Sequence, residues 1–480
     1  MAWNSLYPRT ASAHDLNQAV GECGLVAVCA LGVRAKSGRN GPFGTGAAGL
    51  MVPKVSPCRD GRARVDLPMN IDAMRWIDRY VGVPLCAIAT PLVRLWHGTF
   101  AQTPGSASRV LFIEMSEMGS TILAAPAMQK ARERLGAELF FVIFRRNVGS
   151  LELLGMIPRD NVFTVRDASL FQLIWDTVAF LFWARRKGID TVVDLELFSR
   201  YTALLTGFSG GSRRVGFYRF HQEGLYRGEM LTHRVAYNPH IHIAKNFIAL
   251  VDSLIVPEPT QPYSKTLIGD EQIKAPDIKP SEAARAAVLT RIREATGFDP
   301  KLQRLLLINP NASEMLPHRR WMPDRYTELI KRVLANHADM IVVITGAADE
   351  STEAEALASR CGPRCFSFAG KTALAELPAL YSHAVALITN DSGPAHFASA
   401  ARLPTIVLFG PETPKLYQPL GTSYAIYAGL ACSPCVSAHN HRKTACTDNA
   451  CMRAIGVDQV YAALTDLLAR RNGSDPAFVP

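Results

Sequence analysis

Two junctions, each between an apolar run and a helical stretch, carry the polar residues that could do chemistry. The first junction is Ser116–Ser120 in LFIEMSEMGSTILAAPAM (111–128), where an apolar run stops and an alanine-rich stretch begins. The second junction is Asn390–Gly393 in ITNDSGPAHFASAARLPTIVLFGPETP (388–414), with His396 one helical turn later. Open α/β sheets bind ligands outside the carboxyl ends of their strands. Both junctions are therefore candidate sites of chemistry.

The second junction is suited to an anion. Pro394 can occupy the first helical position, and the start of the helix then presents free backbone amides to the crevice. A phosphate group would bind to those amides. A purely structural alternative makes Asp391 or Ser392 a helix cap. That alternative leaves His396 and the following turn, Phe409-Gly410-Pro411-Glu412-Thr413-Pro414, unexplained.

The elements around these junctions alternate between strand and helix in two blocks, which predicts two doubly wound parallel sheets. A cleft between two such lobes suits a ligand. The proline-containing stretch 257–300 is the predicted connection. Predicted strands are 109–115, 138–144, 161–165, 190–195, 214–218, 304–310, 340–346, 365–370, 385–391 and 405–411. Predicted helices include 169–187, 324–336, 351–360, 373–382 and 394–401.

Composition narrows the class of protein. With 480 residues, 48% apolar and 20% charged, the chain is expected to be globular with two domains and additional segments, neither disordered nor a polytopic membrane protein. Its net charge of +10 favours anionic partners. No dense basic run interleaved with aromatics and no nucleic-acid-reading signature occurs, so nucleic acid is not an expected partner. The ten cysteines do not form a secreted disulfide framework, which indicates a reducing compartment.

The N-terminal region changes character at Met69. Residues 1–68 are rich in Gly, Ala, Ser and Arg and are expected to be disordered, or even untranslated if synthesis starts at Met69. The following apolar core, 81–95, is shorter than the roughly 18 to 20 residues that span a bilayer. Arginines and tryptophans flank it, as at a membrane surface. Segment 69–107 is therefore predicted to attach peripherally to a membrane; the alternative is a helix packed on the first domain.

The second junction resembles the signature of glycosyltransferase family 9, the heptosyltransferase-like enzymes of lipopolysaccharide core assembly. INPNASEMLPHRRWMPDRYTELI resembles the segment that opens the family's second lobe, ITGAADESTEAEAL its next strand and helix, and CSPC with Cys446 and Cys451-Met452 its C-terminal end. MNIDAMRWIDRYVGVPLC resembles the leader of a subset. The similarity covers 109–470. It implies the GT-B fold, with two Rossmann-like domains facing a central cleft: an N-terminal acceptor domain at 108–285, a nucleotide-sugar domain at 300–455, and a C-terminal helix and tail at 456–480.

The resemblance also implies a nucleoside-diphosphate sugar as donor substrate and no required cofactor. By position, Ser313 and Arg319 would meet the diphosphate and Glu350 the ribose or base. The phosphates and donor sugar would be surrounded by Asp391, Ser392, Gly393 and His396. Arg319 and helix N-termini can stabilise a departing diphosphate without a metal. The local alternatives are that Arg319 and Arg320 form a solvated surface pair and that Glu350 is a favourable charge at a helix start.

The first junction departs from the family pattern. Typical members read Met-Gly-Asp, and that Asp is the expected catalytic base, whereas this chain reads Met118-Gly119-Ser120. A serine hydroxyl cannot act as a general base unaided. Three explanations stay open: Glu117 is the base, Ser120 positions the acceptor while another group is the base, or the chain is catalytically weak.

A cysteine cluster lies at the C-terminal end of the region that resembles the family. Cys432, Cys435, Cys446 and Cys451 form two close pairs, which are compatible with a structural zinc site or with thiols that bind no metal. The resemblance implies that no metal is required.

The sequence predicts an inverting glycosyltransferase that moves a heptose or hexose to a lipid-linked, lipopolysaccharide-core-type acceptor. The basic balance and the leader fit a cytoplasmic protein at the inner face of the cytoplasmic membrane. The alternatives are a non-catalytic nucleotide-sugar-binding protein and a nucleotide-sugar epimerase.

Overall fold

The computed structural model describes residues 71–99, 107–222, 224–255, 261–313 and 316–472. The side chains of 71–73, 99 and 471–472 are outside this description. The predicted disorder of 1–68 lies outside the described residues.

The first sheet has six parallel strands in the spatial order β3-β2-β1-β4-β5-β6. The strands are β1 Arg109–Ile113, β2 Glu138–Phe144, β3 Val162–Val165, β4 Thr191–Asp194, β5 Arg213–Tyr218 and β6 His233–Ala236. Helices cover both faces, so the central strands are nearly continuous apolar runs. The sequence predicted the first five strands. It missed β6, because HRVA is short and half polar.

The described helices of this lobe include two in the leader, segment 69–107, four in connections between strands of the first sheet, and one after β6. They are α1 Ile71–Tyr80, α2 Gly82–Thr99, α3 Met118–Leu135, α4 Val148–Leu154, α5 Leu170–Arg186, α6 Arg200–Phe208 and α7 Ile243–Ile255.

The second sheet also has six parallel strands, in the order β12-β11-β10-β7-β8-β9. The strands are β7 Arg304–Asn309, β8 Met340–Ile344, β9 Cys365–Ser367, β10 Ala384–Asn390, β11 Thr405–Phe409 and β12 Ser423–Tyr427. The helices are α8 Glu282–Thr296, α9 Pro323–Asn336, α10 Ser351–Cys361, α11 Leu377–Tyr381, α12 Gly393–Ala400, α13 Pro414–Tyr417, α14 Ala450–Ala454 and α15 Val457–Asn472. The two-sheet architecture predicted from the sequence is confirmed.

The predicted connection 257–300 is more structured than expected. It contains α8, and the hydroxyl of its N-cap residue Ser281 accepts a hydrogen bond from the Ala284 amide at 3.2 Å. Two residues of this helix, Val288 and Ile292, are buried in the core of the second lobe. Their helical spacing presents one apolar face to the lobe, and the prolines around the helix obscured that pattern.

Helix α3 joins the two lobes. Ile122 from α3 lies in the same buried cluster as Phe397 of α12 and Leu380 of α11. In the other direction, Ala395 of α12 belongs to the main buried cluster of the first lobe. Helix α3, which follows the first junction, therefore packs directly on α12, which follows the second junction.

The leader packs on the first lobe through small side chains. The faces of α2 that carry Cys86, Ala89 and Val93 are buried against α6 and Met230. The Asp78 carboxylate accepts hydrogen bonds from the backbone amides at the start of α6, at 2.9 and 3.1 Å. Helical packing, the alternative to membrane attachment, is thus present on this face. None of the described helices combines the length and apolar character needed to cross a bilayer.

Candidate active site

The two junctions predicted from the sequence face each other across the cleft. An ideal Cβ placed on Gly119 would lie 2.7 Å from Cδ2 of His396, closer than real side chains approach. Glycine at 119 therefore allows α3 and α12 to meet. The structure brings Glu117, Gly119 and His396 into one site, although they belong to different lobes.

Alternating charges connect the junctions. Arg442 forms an ion pair with Glu117 of the first lobe, and its Nε lies 3.8 Å from Oε1 of Glu412. Arg319 donates from Nη2 to the same Glu412 oxygen at 3.2 Å. Its Nε lies 3.4 Å from Oδ2 of Asp391. A continuous ionic network thus runs from the loop before α3 to the loop before α12.

Burial and these neighbours set the protonation of the network. Although burial raises it, Arg442 and Arg319 hold the pKa of the Glu117 carboxyl below its ordinary value. Burial raises the pKa of Glu412 to about 7, despite the nearby guanidiniums. Burial lowers the pKa of His396 to about 4, so its ring is neutral near pH 7. Glu117 is therefore ionised at neutral pH, while Glu412 titrates there.

Several buried polar atoms in the network make no hydrogen bond to any described residue. These atoms are Nε of Arg319, Oδ2 of Asp391, Oε2 of Glu412 and Nδ1 of His396. Buried polar groups in folded proteins almost always have a partner. Nε of Arg319 and Oδ2 of Asp391 face each other as an ion pair at 3.4 Å, whereas Oε2 of Glu412 and Nδ1 of His396 have no hydrogen-bond partner among the described residues. The site is therefore suited to a polar ligand.

At the second junction, no N-cap side chain bonds to the backbone amides at the start of α12. Ser392 is the N-cap residue, but its side chain makes no cap hydrogen bond. Its hydroxyl instead lies 3.3 Å from the Thr389 hydroxyl and donates to the Asn390 carbonyl at 3.2 Å. The capping alternative for Ser392 is therefore wrong. Pro394 lies in the first turn of α12 as its second residue, one position after the first helical position predicted from the sequence.

Asn390 holds the neighbouring loop in place. Its amide nitrogen donates to the Pro310 carbonyl at 2.7 Å, and its oxygen accepts from the Trp321 backbone amide at 3.1 Å. The Tyr326 hydroxyl donates to the same oxygen at 3.1 Å. These bonds fix the loop that carries Arg319 beside the second junction.

The remaining predicted residues lie on the same edge of the second sheet. Ser313 is exposed in the turn after β7. Glu350 is half-buried in the turn after β8, and its carboxylate accepts from the Ala347 amide at 2.6 Å. That bond agrees with the local alternative of a charge at a helix start. Arg319, in contrast, is buried, so a solvated surface pair with Arg320 is excluded.

A cavity of about 640 Å³ opens beside the first junction. Its polar wall comes from the ends of β1 and β4 and includes Glu114, Ser116, Glu117, Ser120 and Glu196. Ser116 donates to the Glu196 carboxylate from both its amide, at 2.8 Å, and its hydroxyl, at 2.5 Å. Glu114 is buried, and its carboxylate forms no hydrogen bond or ion pair with a described residue, although its backbone amide donates to the Val142 carbonyl at 3.4 Å. Burial and the carboxylates of Glu196 and Glu117 raise its pKa well above the ordinary value.

Sequence reasoning missed Arg442, Tyr417, Glu114 and Glu196 as site residues and mentioned Glu412 only as part of a turn. Arg442 is 325 residues from its partner Glu117, and it also donates to the Tyr417 hydroxyl at 3.0 Å. No local pattern predicts such a pair. Glu114 and Glu196 carried a usable signal, since each follows a buried strand at its carboxyl end.

The cysteine cluster surrounds the loop that carries Arg442. Cys435 lies 3.3 Å from the Thr444 hydroxyl, and Cys446 lies 3.5 Å from Oδ1 of Asp448. Cys451 is buried, whereas Cys432 is exposed. Within the described ranges, no three histidine, cysteine or carboxylate side chains come together as a metal site would require. The zinc site considered from the spacing of the four cysteines therefore stays a prediction.

The chain is similar to heptosyltransferases. It is 33% identical over 111 residues to lipopolysaccharide heptosyltransferase 2 of Salmonella typhimurium, covering 22% of this chain and 32% of that protein. The similarity therefore spans about a third of the relative's length. A longer match, 22% identical over 322 residues, covers 66% of this chain and 82% of a lipopolysaccharide core heptosyltransferase from Haemophilus influenzae.

Solved structures share the fold. ADP-heptose lps heptosyltransferase II of E. coli superposes with a TM-score of 0.57 at 20% identity, over 76% of this chain and 99% of that one. The two facing sheets therefore form the GT-B fold. The model of glycosyltransferase family 9 (heptosyltransferase) matches residues 185–445, more than half of the chain. Together with the two junctions and the ionic network between them, this match shows that the chain belongs to glycosyltransferase family 9.

Proposed function

We propose that the protein is an inverting glycosyltransferase that moves a heptose or hexose from a nucleoside-diphosphate sugar to a lipid-linked acceptor of the lipopolysaccharide-core type. The observation that carries this proposal is the set of buried polar atoms that make no hydrogen bond where the two junctions meet. The curated relatives are named heptosyltransferases, which supports the same reaction class. In this proposal the second lobe binds the donor and the first lobe binds the acceptor.

The donor's diphosphate would lie at the start of α12. The uncapped amides there, near Ser392 and Gly393, can accept an anion. Arg319 supplies positive charge behind them, held between Asp391 and Glu412. Fixed positive groups of this kind stabilise the charge that develops on a departing diphosphate. Ser313 and Glu350, on the same sheet edge, are assigned to the nucleotide. In this proposal the reaction requires no metal and no cofactor.

Glu117 is the proposed general base. Its carboxylate is ionised at neutral pH and lies at the edge of the acceptor cavity, next to the lobe contact. It would accept the proton of the acceptor hydroxyl while that oxygen attacks the anomeric carbon from the face opposite the diphosphate. Ser120, which lines the same cavity, would position the acceptor. Glu114 is the carboxyl that would serve as base under the second explanation.

Two matched substitutions separate these roles. We expect Glu117→Gln to lower kcat for transfer by about 10² to 10⁴-fold, with little change in the KM of the donor, because a base contributes to the transition state alone. Glu114→Gln is the control. Wild-type turnover in Glu117→Gln, combined with a loss in Glu114→Gln, would move the assignment to Glu114.

The same assay tests the reaction class. It needs a screen of ADP-heptose and UDP-hexoses, first for a raised unfolding temperature and then for product. A donor that binds without any sugar transfer favours the non-catalytic alternative. Interconversion of the donor sugar without an acceptor favours the epimerase.

The proposal includes attachment to the inner face of the cytoplasmic membrane through α1 and α2. Their outward faces expose large apolar side chains, whereas small ones face the lobe. The exposed residues are Trp76, Tyr80, Val81, Leu85, Ile88, Leu92, Leu95 and Trp96. A double substitution, Ile88→Ser with Leu92→Ser, should reduce co-sedimentation with anionic vesicles. Retention of wild-type binding would exclude this attachment surface.

A further inference from the structure

Helix α5 exposes a second apolar face that the reaction does not explain. Phe171 and Phe182 on this face are 76% and 72% exposed. The opposite side of the helix is packed, with Phe180 and Ala184 buried against the first sheet. The exposed set is Leu170, Phe171, Ile174, Trp175, Val178 and Phe182. Large aromatic groups arranged along one helix face and left in water indicate a surface that is covered in use.

The exposed apolar faces of α5 and of the leader helices α1 and α2 flank the cavity of about 640 Å³ beside the first junction, which is the proposed acceptor cavity. Ile77 of α1 and Leu85 of α2 line it from one side, and Leu170 and Leu173 of α5 line it as well. Its polar wall, with Glu117, lies at the strand ends and the lobe contact. The cavity is therefore amphiphilic. One wall suits a saccharide and the other a hydrocarbon.

Charge favours an anionic bilayer as the partner of these two faces. Arg79, Arg94 and Arg186 are exposed and form no ion pair within the described part of the chain. The described acidic groups of the same helices are neutralised internally, since Asp78 pairs with Arg200 and Asp176 with Arg166. Exposed aromatic side chains beside unpaired arginines match the interfacial region of an anionic membrane.

We propose that α5 and the leader helices form a two-sided apolar rim, defined by the exposed residues above, that rests on an anionic bilayer around the mouth of the cavity. A lipid-linked acceptor then enters the cavity from the membrane, with its lipid against α2 and α5 and its saccharide toward Glu117. The acceptor class rests on the proposed function, whereas the membrane contact of α5 does not.

Tryptophan fluorescence tests the contact of α5 directly. The probe is a vesicle of phosphatidylethanolamine and phosphatidylglycerol with brominated acyl chains, which quench tryptophan that reaches the bilayer. We expect quenching in the wild-type protein and clearly less in Trp175→Phe. Equal quenching in the two proteins would overturn the contact of α5. Equal binding to vesicles of phosphatidylcholine alone would overturn the role of charge.

A matched pair of double variants tests the rim. Phe171→Ser with Phe182→Ser should weaken vesicle binding about tenfold or more. The control, Leu267→Ser with Leu302→Ser, removes two side chains that are 96% and 75% exposed outside the rim, and it should bind like wild type. Unchanged unfolding temperatures establish that both variants are folded. Wild-type vesicle binding by the α5 variant would overturn the proposal.

Transfer to two acceptors separates this inference from the proposed function. The acceptors are rough-type lipopolysaccharide in vesicles and the oligosaccharide released from it by mild acid. The α5 variant should lose about tenfold in kcat/KM with the first acceptor and nothing with the second. Equal losses with both would contradict entry from the membrane. Wild-type protein that is quenched by vesicles but transfers no sugar to either acceptor would contradict the proposed function alone.

Discussion

The first and second junctions have the same local design but differ in where their partners come from. Both follow a buried strand, and both start a helix whose N-cap side chain makes no cap hydrogen bond. At the second junction, Asp391 is paired with Arg319 of its own lobe. At the first, Glu117 is paired with Arg442 of the opposite lobe. The second junction is therefore complete within one lobe, whereas the first is complete only when the lobes meet.

This difference separates binding from catalysis. Changes in the second lobe should affect donor affinity, and changes at the lobe contact should affect turnover. The following substitutions test that separation.

Among these substitutions, Gly119→Ala should have the largest effect. The added methyl group would collide with the ring of His396 at 2.7 Å and force α3 and α12 apart. We expect kcat to fall about 10²-fold, because small displacements of reacting groups are that costly. Donor affinity, measured by calorimetry, should stay near wild type. Gly98→Ala, where an added Cβ meets nothing within 4 Å, is the control. Equal losses of affinity and turnover in Gly119→Ala would remove the distinction between the junctions.

Arg319→Lys should have the second-largest effect of these substitutions. Lysine keeps the charge but cannot contact Asp391 and Glu412 together as the guanidinium does. We expect the donor Kd to rise about tenfold. Arg332→Lys changes an exposed ion pair with Asp458 and should leave the Kd unchanged. A normal Kd in Arg319→Lys, with only kcat reduced, would confine Arg319 to stabilising the departing diphosphate and would contradict its role in donor binding.

The pH dependence of stability tests the network at Glu412. Its pKa rises from 4.5 to about 7 on folding because of burial, so the folded protein holds more protons than the unfolded chain between these values. Glu412 therefore lowers the free energy of unfolding as pH rises through this window. His396 has a lowered pKa and acts with the opposite sign. Only a comparison of variants isolates Glu412.

Relative to wild type, Glu412→Gln should gain stability from pH 4.5 to 7, by roughly 1 to 3 kcal/mol. Urea unfolding at several pH values measures this change. Glu355→Gln replaces an exposed carboxyl, so its free energy of unfolding should change with pH in parallel with that of wild type. A parallel curve for Glu412→Gln would show that Glu412 does not titrate in this window.

Ser392→Ala should have the smallest effect. Because its hydroxyl bonds outside the helix, its loss should change the free energy of unfolding by less than about 0.5 kcal/mol. Ser281→Ala removes a hydroxyl that does cap a helix, at 3.2 Å from the Ala284 amide, and should cost about 1 kcal/mol. Similar losses in both variants would restore the cap role of Ser392.

The difference between contacts within one lobe and contacts between lobes also explains which features could be predicted from the sequence. Buried strands, the turns after them and Pro394 leave local patterns, so both junctions and the two-sheet fold could be inferred. The ion pair of Glu117 with Arg442 leaves none, because its members are 325 residues apart and Arg442 lies in a loop that drew attention only for its cysteines. Helix α5 was predicted, but its apolar residues surround the helix, so the exposed side could not be identified before the packing was known.

The central claim is sugar transfer in the cleft between the two junctions. It is tested most directly by incubating wild-type protein with ADP-heptose and the released oligosaccharide, then analysing the product by mass spectrometry and NMR. We expect an oligosaccharide heavier by one sugar, with the anomeric configuration of the donor inverted. A donor that binds and is released intact, or retention of configuration in the product, would contradict it.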